Sequence, residues 1–469
     1  MTAQIVPLPA ANQWREELVE NFNNQLEKLQ AINMNKLEDI TKAIFNQKSE
    51  MLGSIILGLI KKNYNHLLNQ EFCECPICTN MLKAKDMAVK KTVETANGKF
   101  DLYRPYFYCY RCKIGFYPLD EALGLASGTK QYDVQDLEAW LGSEMTFNKA
   151  GKTYEKFTAQ RLSADHIHET ANEIANHFDV VDVCPDNDEI EAKIAQLSEG
   201  KSWRPVMMMA IDGAKEPMRP EPSPWKGKRG EYEYKEAKGF RLYLVDSAKI
   251  IHLASWHQIQ DDKQLAENLL AIKEAGLVPE DKVRFCVIGD GAPWIWNRIQ
   301  EVFTTAKQVL DFYHCSEYIH SVANSQYGEN SKSAQEWVEA TFTRLFHNDI
   351  EKVINGLKIM TPKSDKAREK IEKTVGYLTN HKDRTHYGTA KRAGYHIGSG
   401  AIESANKCIC HGRLKKSGAW WYITNSNNIL KLRCAQSNGT YDRLIEKYKQ
   451  IDRKRIYTKK LSNKLNVVK

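Results

Sequence analysis

Hydrophobic positions recur at two different spacings along the chain, and the spacing changes near residue 203. Between residues 12 and 70 apolar side chains recur at helical spacing, with few glycines or prolines. From residue 203 short apolar runs end at turn-forming residues, which is typical of buried strands. The pattern predicts an N-terminal helical arm and a later strand-rich region.

The strand-rich region contains helical stretches between its later strands. The predicted order is strand, strand, strand, helix, strand, helix, strand, from the runs at 206–212, 240–246, 250–259, 261–277, 283–290, 293 onward and 307–314. A hairpin followed by β-α-β units predicts a mixed sheet with helices on its faces. Helical spacing returns at 331–380, where we expect an insertion within this region.

Changes in composition divide the chain into seven segments. They are a helical arm (1–70), a cysteine module (71–122), a helical region (123–200), the first part of an α/β core (201–330), a helical insertion (331–390), the final part of the core (391–436) and a basic C-terminal tail (437–469). In the helical region, residues 146–175 predict two helices, the second capped by Ser163. Two short helices with a tight joint indicate a helix-turn-helix that binds DNA.

Composition and charge fit a soluble globular protein with a mild preference for polyanions. Hydrophobic residues make up 42% and charged residues 27%, and the formal charge is +8. From Tyr441 to Lys469 ten Lys/Arg stand against three Asp/Glu, so the tail is either solvated surface or a nucleic-acid contact. No signal-peptide pattern opens the chain, and the apolar run at 51–60 is too short for a bilayer. We expect a cytoplasmic protein with reduced cysteines.

Four cysteines have the spacing of a zinc site. Cys75 and Cys78 form one C-x2-C pair, and Cys109 and Cys112 form a second. Four thiolates suit tetrahedral Zn²⁺ and leave no open coordination position, so we expect one structural zinc ion in a zinc ribbon. Cys73 is an alternative to Cys75. The aromatic residues around the second pair either cover the zinc core, which we favour, or stack on bases.

Three acidic residues stand where strands end or a helix starts. Asp212 and Asp290 each follow an apolar run and precede Gly-Ala, and Glu403 opens a helix after Gly-Ser-Gly. Ligands gather beyond the carboxyl ends of strands in open sheets, so these side chains can share one site. Two Mg²⁺ or Mn²⁺ ions about 3.5–4 Å apart could bind there and support phosphoryl transfer. Alternatively, each aspartate is a turn former or helix cap. A nucleotide-binding loop is disfavoured because no G-x-G-x-x-G is present.

Basic and aromatic residues follow Glu403. Lys407 lies one turn further on the same helix face. The other members of this set are Arg413, Lys415, Lys416, Trp420 and Trp421. Together they fit DNA-backbone binding with base stacking, or else a solvated turn with buried tryptophans. A second zinc site at Cys408, Cys410 and His411 is a weaker alternative.

The motifs together resemble a known family. AIDGAK, VIGDGAPWIW, LDFYH, GSGAIES and GFYPLDEALGL, between about residues 71 and 436, are similar to segments of ISKra-type bacterial insertion-sequence transposases. These are DDE enzymes with an RNase H-like catalytic core. The resemblance implies Asp212, Asp290 and Glu403 as the catalytic triad, with a helical insertion before Glu403. It also implies an accessory role for Asp311 and His314, although Asp311 stands where related families have cysteine.

The resemblance also implies a function. A transposase would cut duplex DNA at the ends of a mobile element and join the freed 3′-OH to target DNA. The DNA ends must be paired, so we expect at least a homodimer, located with the nucleoid in the cytoplasm. Two alternatives use the same features. One is a non-catalytic zinc-ribbon and helix-turn-helix regulator, and the other is an RNase H-like structure-specific nuclease.

Overall fold

The structure is a computed structural model that describes residues 10–30, 32, 35–219, 233–247, 249–417 and 419–465. The N-terminal residues inspected for a signal peptide, 1–9, and the end of the basic tail, 466–469, lie outside these ranges. The chain divides into two compact units, residues 1–174 with 445–469, and residues 175–444. The finer division into seven segments stays a prediction.

The first unit combines helices with two small antiparallel sheets. Its helices are α1 (Ala10–Gln30), α2 (Leu37–Leu68), α3 (Pro118–Ala122), α4 (Tyr132–Glu144), α5 (Phe147–Thr158), α6 (Ala164–Ala175) and most of α19 (Tyr441–Leu465). Its strands are β1 (Phe72–Glu74), β2 (Met81–Lys83), β3 (Asp86–Thr95), β4 (Gly98–Cys109) and β5 (Ile114–Phe116). β1 pairs with β2, and β3, β4 and β5 form the second sheet in that order.

Helix α2 packs closely on the β3–β4 hairpin because both carry glycine at the contact. A Cβ added to Gly53 would lie 2.3 Å from the Lys99 carbonyl oxygen, and one added to Gly98 would lie 2.4 Å from the Gly53 nitrogen. Only glycine permits this approach. Phe100 and Leu102 of β4 are buried beneath the helix. The predicted helical arm is therefore joined to the hairpin by a shared core.

The predicted helix pair is confirmed as α5 and α6. The hydroxyl of Ser163 accepts a hydrogen bond from the His166 N–H at 3.2 Å, as an N-cap does. A Cβ on Gly151 would lie 2.6 Å from the Leu162 carbonyl oxygen, so the two helices meet tightly at the turn. Ala159 ends α5 in the left-handed conformation, with φ of 62°.

The second unit contains a five-stranded mixed sheet. Its strands are β6 (Val206–Met218), β7 (Glu233–Asp246), β8 (Lys249–Ile259), β9 (Arg284–Gly289) and β10 (Lys307–Leu310), in the order β10-β9-β6-β7-β8. β6, β7 and β8 are antiparallel neighbours, whereas β9 runs parallel to β6 and β10 runs parallel to β9. The prediction of a mixed α/β sheet formed by a hairpin and β-α-β units is confirmed.

Helices flank and extend this sheet. They are α7 (Val180–Val183), α8 (Asn187–Ser198), α9 (Asp262–Glu274), α10 (Pro293–Val302), α11 (Phe312–Tyr327), α12 (Lys332–Phe346), α13 (Ile350–Lys358), α14 (Asp365–His381), α15 (Tyr387–Arg392), α16 (Gly400–Ala405), α17 (Gly412–Leu414) and α18 (Ile423–Asn438). A 3₁₀ turn occupies Lys382–Arg384, and a π-helical segment occupies Asn406–His411. Leu265, Leu269 and Ile272 of α9 are buried, as its amphipathic pattern predicts.

Two contacts organise the edges of the second unit. Asn427 and Asn438 of α18 each pair with edge strand β8, accepting from the Ile259 and Ser255 N–H groups and donating to the carbonyls of the same residues. These side chains form hydrogen bonds with backbone N–H and C=O groups of β8 that an exposed edge strand would otherwise offer to other strands. Tyr318 of α11 and Tyr377 of α14 stack with ring centroids 4.0 Å apart.

Within the described residues, no helix is long and apolar enough to cross a membrane.

Candidate functional site

Three aspartates lie level with one another at one edge of the parallel strands. Ala210 of β6 pairs with Ile288 of β9, and Gly289 of β9 pairs with Leu310 of β10. Continuing both registers brings Asp212, Asp290 and Asp311 to the same height. The Asp311 N–H donates to the Gly289 carbonyl at 2.8 Å, which holds this alignment beyond the last paired residue. The strand order therefore gathers acidic side chains that are distant in sequence.

Asp212 does not end its strand, contrary to the sequence prediction. Parallel pairing with β9 stops at Ala210, but β6 continues to Met218 through antiparallel pairing with β7. Asp212 Oδ1 accepts from the Gly213 N–H at 2.7 Å, and Oδ2 accepts from Asn406 Nδ2 at 2.8 Å. Burial raises the pKa of Asp212 to about 6, and the carboxylates of Asp290 and Glu403 act in the same direction. His314 and the Gly213 N–H oppose them.

Asp290 lies in a turn that the neighbouring helices hold in place. Its Oδ1 accepts from the Ala292 N–H at 2.9 Å, just before Pro293 starts α10. Gly291 adopts φ of 99°, which favours glycine. The hydroxyl of Tyr377, on α14, donates to the Asp290 carbonyl at 3.0 Å. The helical insertion thus contacts the turn that carries the acid.

Glu403 is an exposed side chain on the short helix α16. The hydroxyl of Ser399 donates to Glu403 Oε1 at 3.3 Å, and the Ser399 N–H donates to Asp311 Oδ2 at 2.6 Å. Arg241 of β7 donates to the Ala401 carbonyl at 3.1 Å. Two strands of the sheet therefore position the start of the helix that carries Glu403.

Asp311 is a fully buried connector between α11 and α16. Its Oδ1 accepts from the Tyr313 and His314 N–H groups at 2.5 and 3.2 Å, which caps α11, while Oδ2 binds Ser399. Asp311 thus contacts the backbone of His314, and the accessory role expected of these two residues stays a prediction. The His314 ring lies 3.8 Å from Glu317 and is close enough to Asp212 to lower that pKa.

The carboxylates are spaced more widely than a single-ion cluster. Within the residues that the structure describes, Cys75, Cys78, Cys109 and Cys112 form the one group of three or more His, Cys, Asp or Glu residues whose ligand atoms all lie within 4.8 Å of one another. The three acids therefore do not all bring a carboxylate oxygen within that distance of one another. Their oxygen donors suit hard cations.

The thiol cluster joins two hairpins. Cys75, Cys109 and Cys112 are buried, and Cys78 Sγ lies 3.7 Å from Cys109 Sγ. Cys73 only packs against the outside of the cluster, so it does not replace Cys75. Phe107 and Phe116 pack beside the thiols with ring centroids 5.8 Å apart, so these two aromatics cover the core. The four thiols can hold a metal ion such as zinc.

The predicted DNA-binding residues after Glu403 divide into two groups. Lys407, Lys415 and Lys416 are exposed. Arg413 and Trp421 are buried, and the guanidinium lies 4.6 Å from the indole centroid. These two side chains pack on each other in the interior, and a DNA contact of either stays a prediction. Trp420 is half-buried, and its ring lies 5.5 Å from the Arg219 guanidinium. His411 binds Glu216 rather than Cys408 or Cys410, so a second zinc site is not formed there.

The two helices of the helix-turn-helix-like pair expose opposite charges. Helix α5 exposes Lys149, Lys152 and Lys156. Helix α6 exposes Asp165, Glu169 and Glu173. The second helix of a helix-turn-helix normally enters the major groove, where three carboxylates would meet phosphate repulsion. Any DNA contact of this pair is therefore favoured on α5.

Several residues of the site escaped the sequence interpretation. Ser399 and Asn406 contact the proposed acids, and neither was singled out. The buried Glu216 and the half-buried His411 form a contact of 2.5 Å between Oε1 and Nδ1, next to this site. The alternation of β6 offers one signal, since Asp212 and Glu216 are acidic residues on one strand face.

Comparisons with known proteins are limited in extent. Residues 232–451, somewhat less than half of the chain, match the model of an uncharacterised protein family, UPF0236. No curated protein matches the chain. Among solved structures, the Drosophila P element transposase strand transfer complex is similar at 10% identity with a TM-score of 0.23, over 68% of this chain and 80% of that one.

Proposed function

We propose that this protein is a DDE transposase, of the kind found in ISKra-type insertion sequences, with an RNase H-like catalytic core. The observation that carries the proposal is the convergence of Asp212, Asp290 and Glu403 from three separate elements. Adjacent parallel strands align the two aspartates, and burial raises the pKa of Asp212 with a further contribution from the charges of Asp290 and Glu403. Carboxylates that repel one another in this way are what a divalent-cation site requires before the cation binds.

The residues present fit a pair of Mg²⁺ or Mn²⁺ ions. Asp212, Asp290 and Glu403 would hold them, and the bound ions would activate the attacking oxygen and stabilise the departing 3′ oxygen of a phosphodiester. Asp311 keeps the Glu403 helix in place through Ser399. His314, whose charge lowers the pKa of Asp212, would supply a donor near the reacting phosphate. The thiols of Cys75, Cys78, Cys109 and Cys112 would hold one structural zinc ion in a zinc ribbon.

Duplex DNA is the proposed partner, as element end and as target. Exposed Lys407, Lys415 and Lys416 follow Glu403 in the chain and suit phosphate contacts, and Trp420 suits stacking. The lysines of α5 supply a second basic surface. In α19, Arg455 already pairs with Glu173 and Asp452, which reduces its contribution. Paired DNA ends require at least a dimer of this chain during the reaction.

The test is strand transfer by the full-length protein. Labelled duplexes from both flanks of the gene are incubated with supercoiled plasmid and Mn²⁺, and joined products are resolved on a gel. We expect Asp212→Asn, Asp290→Asn and Glu403→Gln to lose at least about 1000-fold in joining, which is about 4 kcal/mol of transition-state stabilisation. Glu267→Gln, an exposed acid on α9, serves as the matched control and keeps full activity.

The alternatives give different products. Cleavage without joining identifies a structure-specific nuclease. DNA binding that survives all three acid substitutions, with neither cleaved nor joined product from the wild type, identifies a non-catalytic regulator. Either result overturns the transposase proposal. Zinc content is measured in parallel and is expected to be the same in every acid variant.

A further inference from the structure

A π-helical segment follows directly on the helix that carries Glu403. Helix α16 ends at Ala405, and the π-helical turn covers Asn406–His411. Such turns are rare and occur frequently at functional sites. In a π-helix residues five apart share a face, whereas five residues of an α-helix rotate by about 500° and point in different directions. The wide turn therefore places Asn406 and His411 on the same side.

Both side chains contact the same strand. Asn406 Nδ2 donates to Asp212 Oδ2 at 2.8 Å, and His411 Nδ1 lies 2.5 Å from Glu216 Oε1. Asp212 and Glu216 are four residues apart in β6, so their side chains project from one face of the sheet. One turn of π-helix is thus fastened at two points to the strand that carries the first proposed catalytic acid.

Each contact has one buried partner and is supported by a neighbouring helix. Asn406 is 5% exposed and Glu216 is fully buried, so each bond replaces water that these two groups have lost. Arg433 of α18 donates to the Ile409 carbonyl at 2.8 Å, inside the wide turn. Buried polar contacts of this kind fix one arrangement, because any shift leaves polar groups without partners.

The orientation of the Asp212 carboxylate depends on this segment. The Gly213 N–H fixes Oδ1 and Asn406 fixes Oδ2, so rotation of the carboxylate is restricted while both oxygens keep further acceptor capacity. Glu403 lies three residues before Asn406 and hence on the same side of the helix. A displacement of Asn406 would alter the distance between the two acids.

We propose that the segment Asn406–His411 is a clasp that sets Glu403 against Asp212, with Asn406 and His411 as positioning residues. Asn406 holds the Asp212 carboxylate directly, and the contact of His411 with Glu216 keeps the turn on the strand. This inference rests on the proposed function, because its consequence is the affinity of the acids for divalent ions. Residues that orient metal ligands typically contribute about 10- to 100-fold to metal affinity.

The test compares Asn406→Ala with Ser404→Ala in the full chain. Ser404 is exposed on the same helix and contacts neither acid through a hydrogen bond in the structure, so it is the matched control. Two readouts are measured, the Mn²⁺ concentration that gives half the maximal rise in melting temperature and the one that gives half-maximal joining. We expect both to increase about tenfold or more in Asn406→Ala and to stay unchanged in Ser404→Ala. Asn406→Leu, which keeps the volume without a donor, gives the same shift and replaces the alanine variant should that fail to fold.

A double-mutant cycle tests the clasp as a unit. Asn406 and His411 hold the same turn on β6. The combined effect of Asn406→Ala and His411→Ala on the Mn²⁺ midpoint is therefore expected to be smaller than the sum of the single effects. A wild-type Mn²⁺ midpoint in both Asn406 variants overturns the clasp and leaves the transposase proposal standing. A wild type whose melting temperature and DNA products do not respond to Mn²⁺ overturns the proposed function, and the clasp with it.

Discussion

The thiol cluster and the acidic site are assembled in opposite ways. Cys75 and Cys112 belong to one short module, and four thiols meet within 4.8 Å. Asp212, Asp290 and Glu403 come from elements far apart in the chain; the parallel pairing of β6 and β9 aligns the two aspartates, and Asn406, directly after α16, binds Asp212. The thiols close on one point, whereas the three acids do not all come that close to one another.

This difference fits a structural role for the thiols and the catalytic role proposed for the acids. A closed set of thiolates leaves no position for substrate and contributes its binding energy to folding. Carboxylates that do not close on one point leave positions for water and phosphate, and burial of Asp212 raises its pKa, so that its charged form costs stability at neutral pH. We expect substitutions at the thiols to affect folding first and those at the acids to affect chemistry first.

The largest effect is expected when the thiol cluster is opened. Cys112→Ser removes one of four ligands, and the bound zinc, which contributes about 10–16 kcal/mol in small zinc modules, should be lost together with the structure of the two hairpins. Zinc content by mass spectrometry and hydrogen exchange across residues 71–122 measure both losses. Cys73→Ser, just outside the cluster, should retain the metal. Zinc retained by the Cys112 variant but lost from the Cys73 variant would show that the ligand set is wrong.

An intermediate effect is expected at Asp311, which serves both folding and site geometry. Asp311→Ala removes the cap of α11 at Tyr313 and His314 and leaves the buried N–H group of Ser399 without its acceptor, at a combined cost of about 3 kcal/mol. The melting temperature should fall, and joining should weaken because Ser399 no longer orients Glu403.

The control for Asp311 is Asp365→Ala, an exposed acid in the first turn of α14. Its effect on stability should stay within about 0.5 kcal/mol. If the two variants melted at the same temperature, the connection between α11 and α16 would not have the stabilising role assigned to it.

Features that depend on short stretches of sequence were predicted from the sequence. The spacing of the cysteines gave the cluster, Ser163 gave the start of α6, and apolar runs gave the strands of the mixed sheet. The length of β6 was underestimated because its continuation beyond Asp212 depends on antiparallel pairing with β7, a partner that the run itself does not reveal.

Contacts that depend on packing could not be read from residue types. Arg413 beside tryptophans suits either DNA binding or a buried stack, and its packing on Trp421 depends on tertiary contacts that the residue types do not specify. Asn406 contacts Asp212 because of the wide turn after α16, and nothing in the local sequence indicates a π-helix there. The three acids were predicted as a site because several motifs occur together in one order, and their catalytic role stays a prediction.

The smallest effect is expected from the pH dependence of Glu216. Burial raises its pKa from 4.5 to about 7, and Lys415 opposes this shift. A carboxyl with a raised folded-state pKa binds its proton more tightly when folded, so stability falls as the pH rises from the unfolded value through about 7. The pKa of His411 is lowered by burial and by Lys415 and Lys407. This group therefore makes stability rise with pH at pH values below its ordinary pKa of 6.5.

Between about pH 6.5 and 8 the pH dependence of the unfolding free energy therefore comes from Glu216 and not from His411. We expect the wild type to lose about 1 kcal/mol of unfolding free energy over this interval relative to Glu216→Gln, whose side chain does not ionise. Urea unfolding at closely spaced pH values measures the difference. Equal slopes for the two proteins would mean that the carboxyl is already ionised at neutral pH, and that the contact with His411 is an ion pair. A buried, charged carboxylate beside the acidic site would then cost no stability at neutral pH. The contrast between the acidic site and the thiol cluster would be smaller.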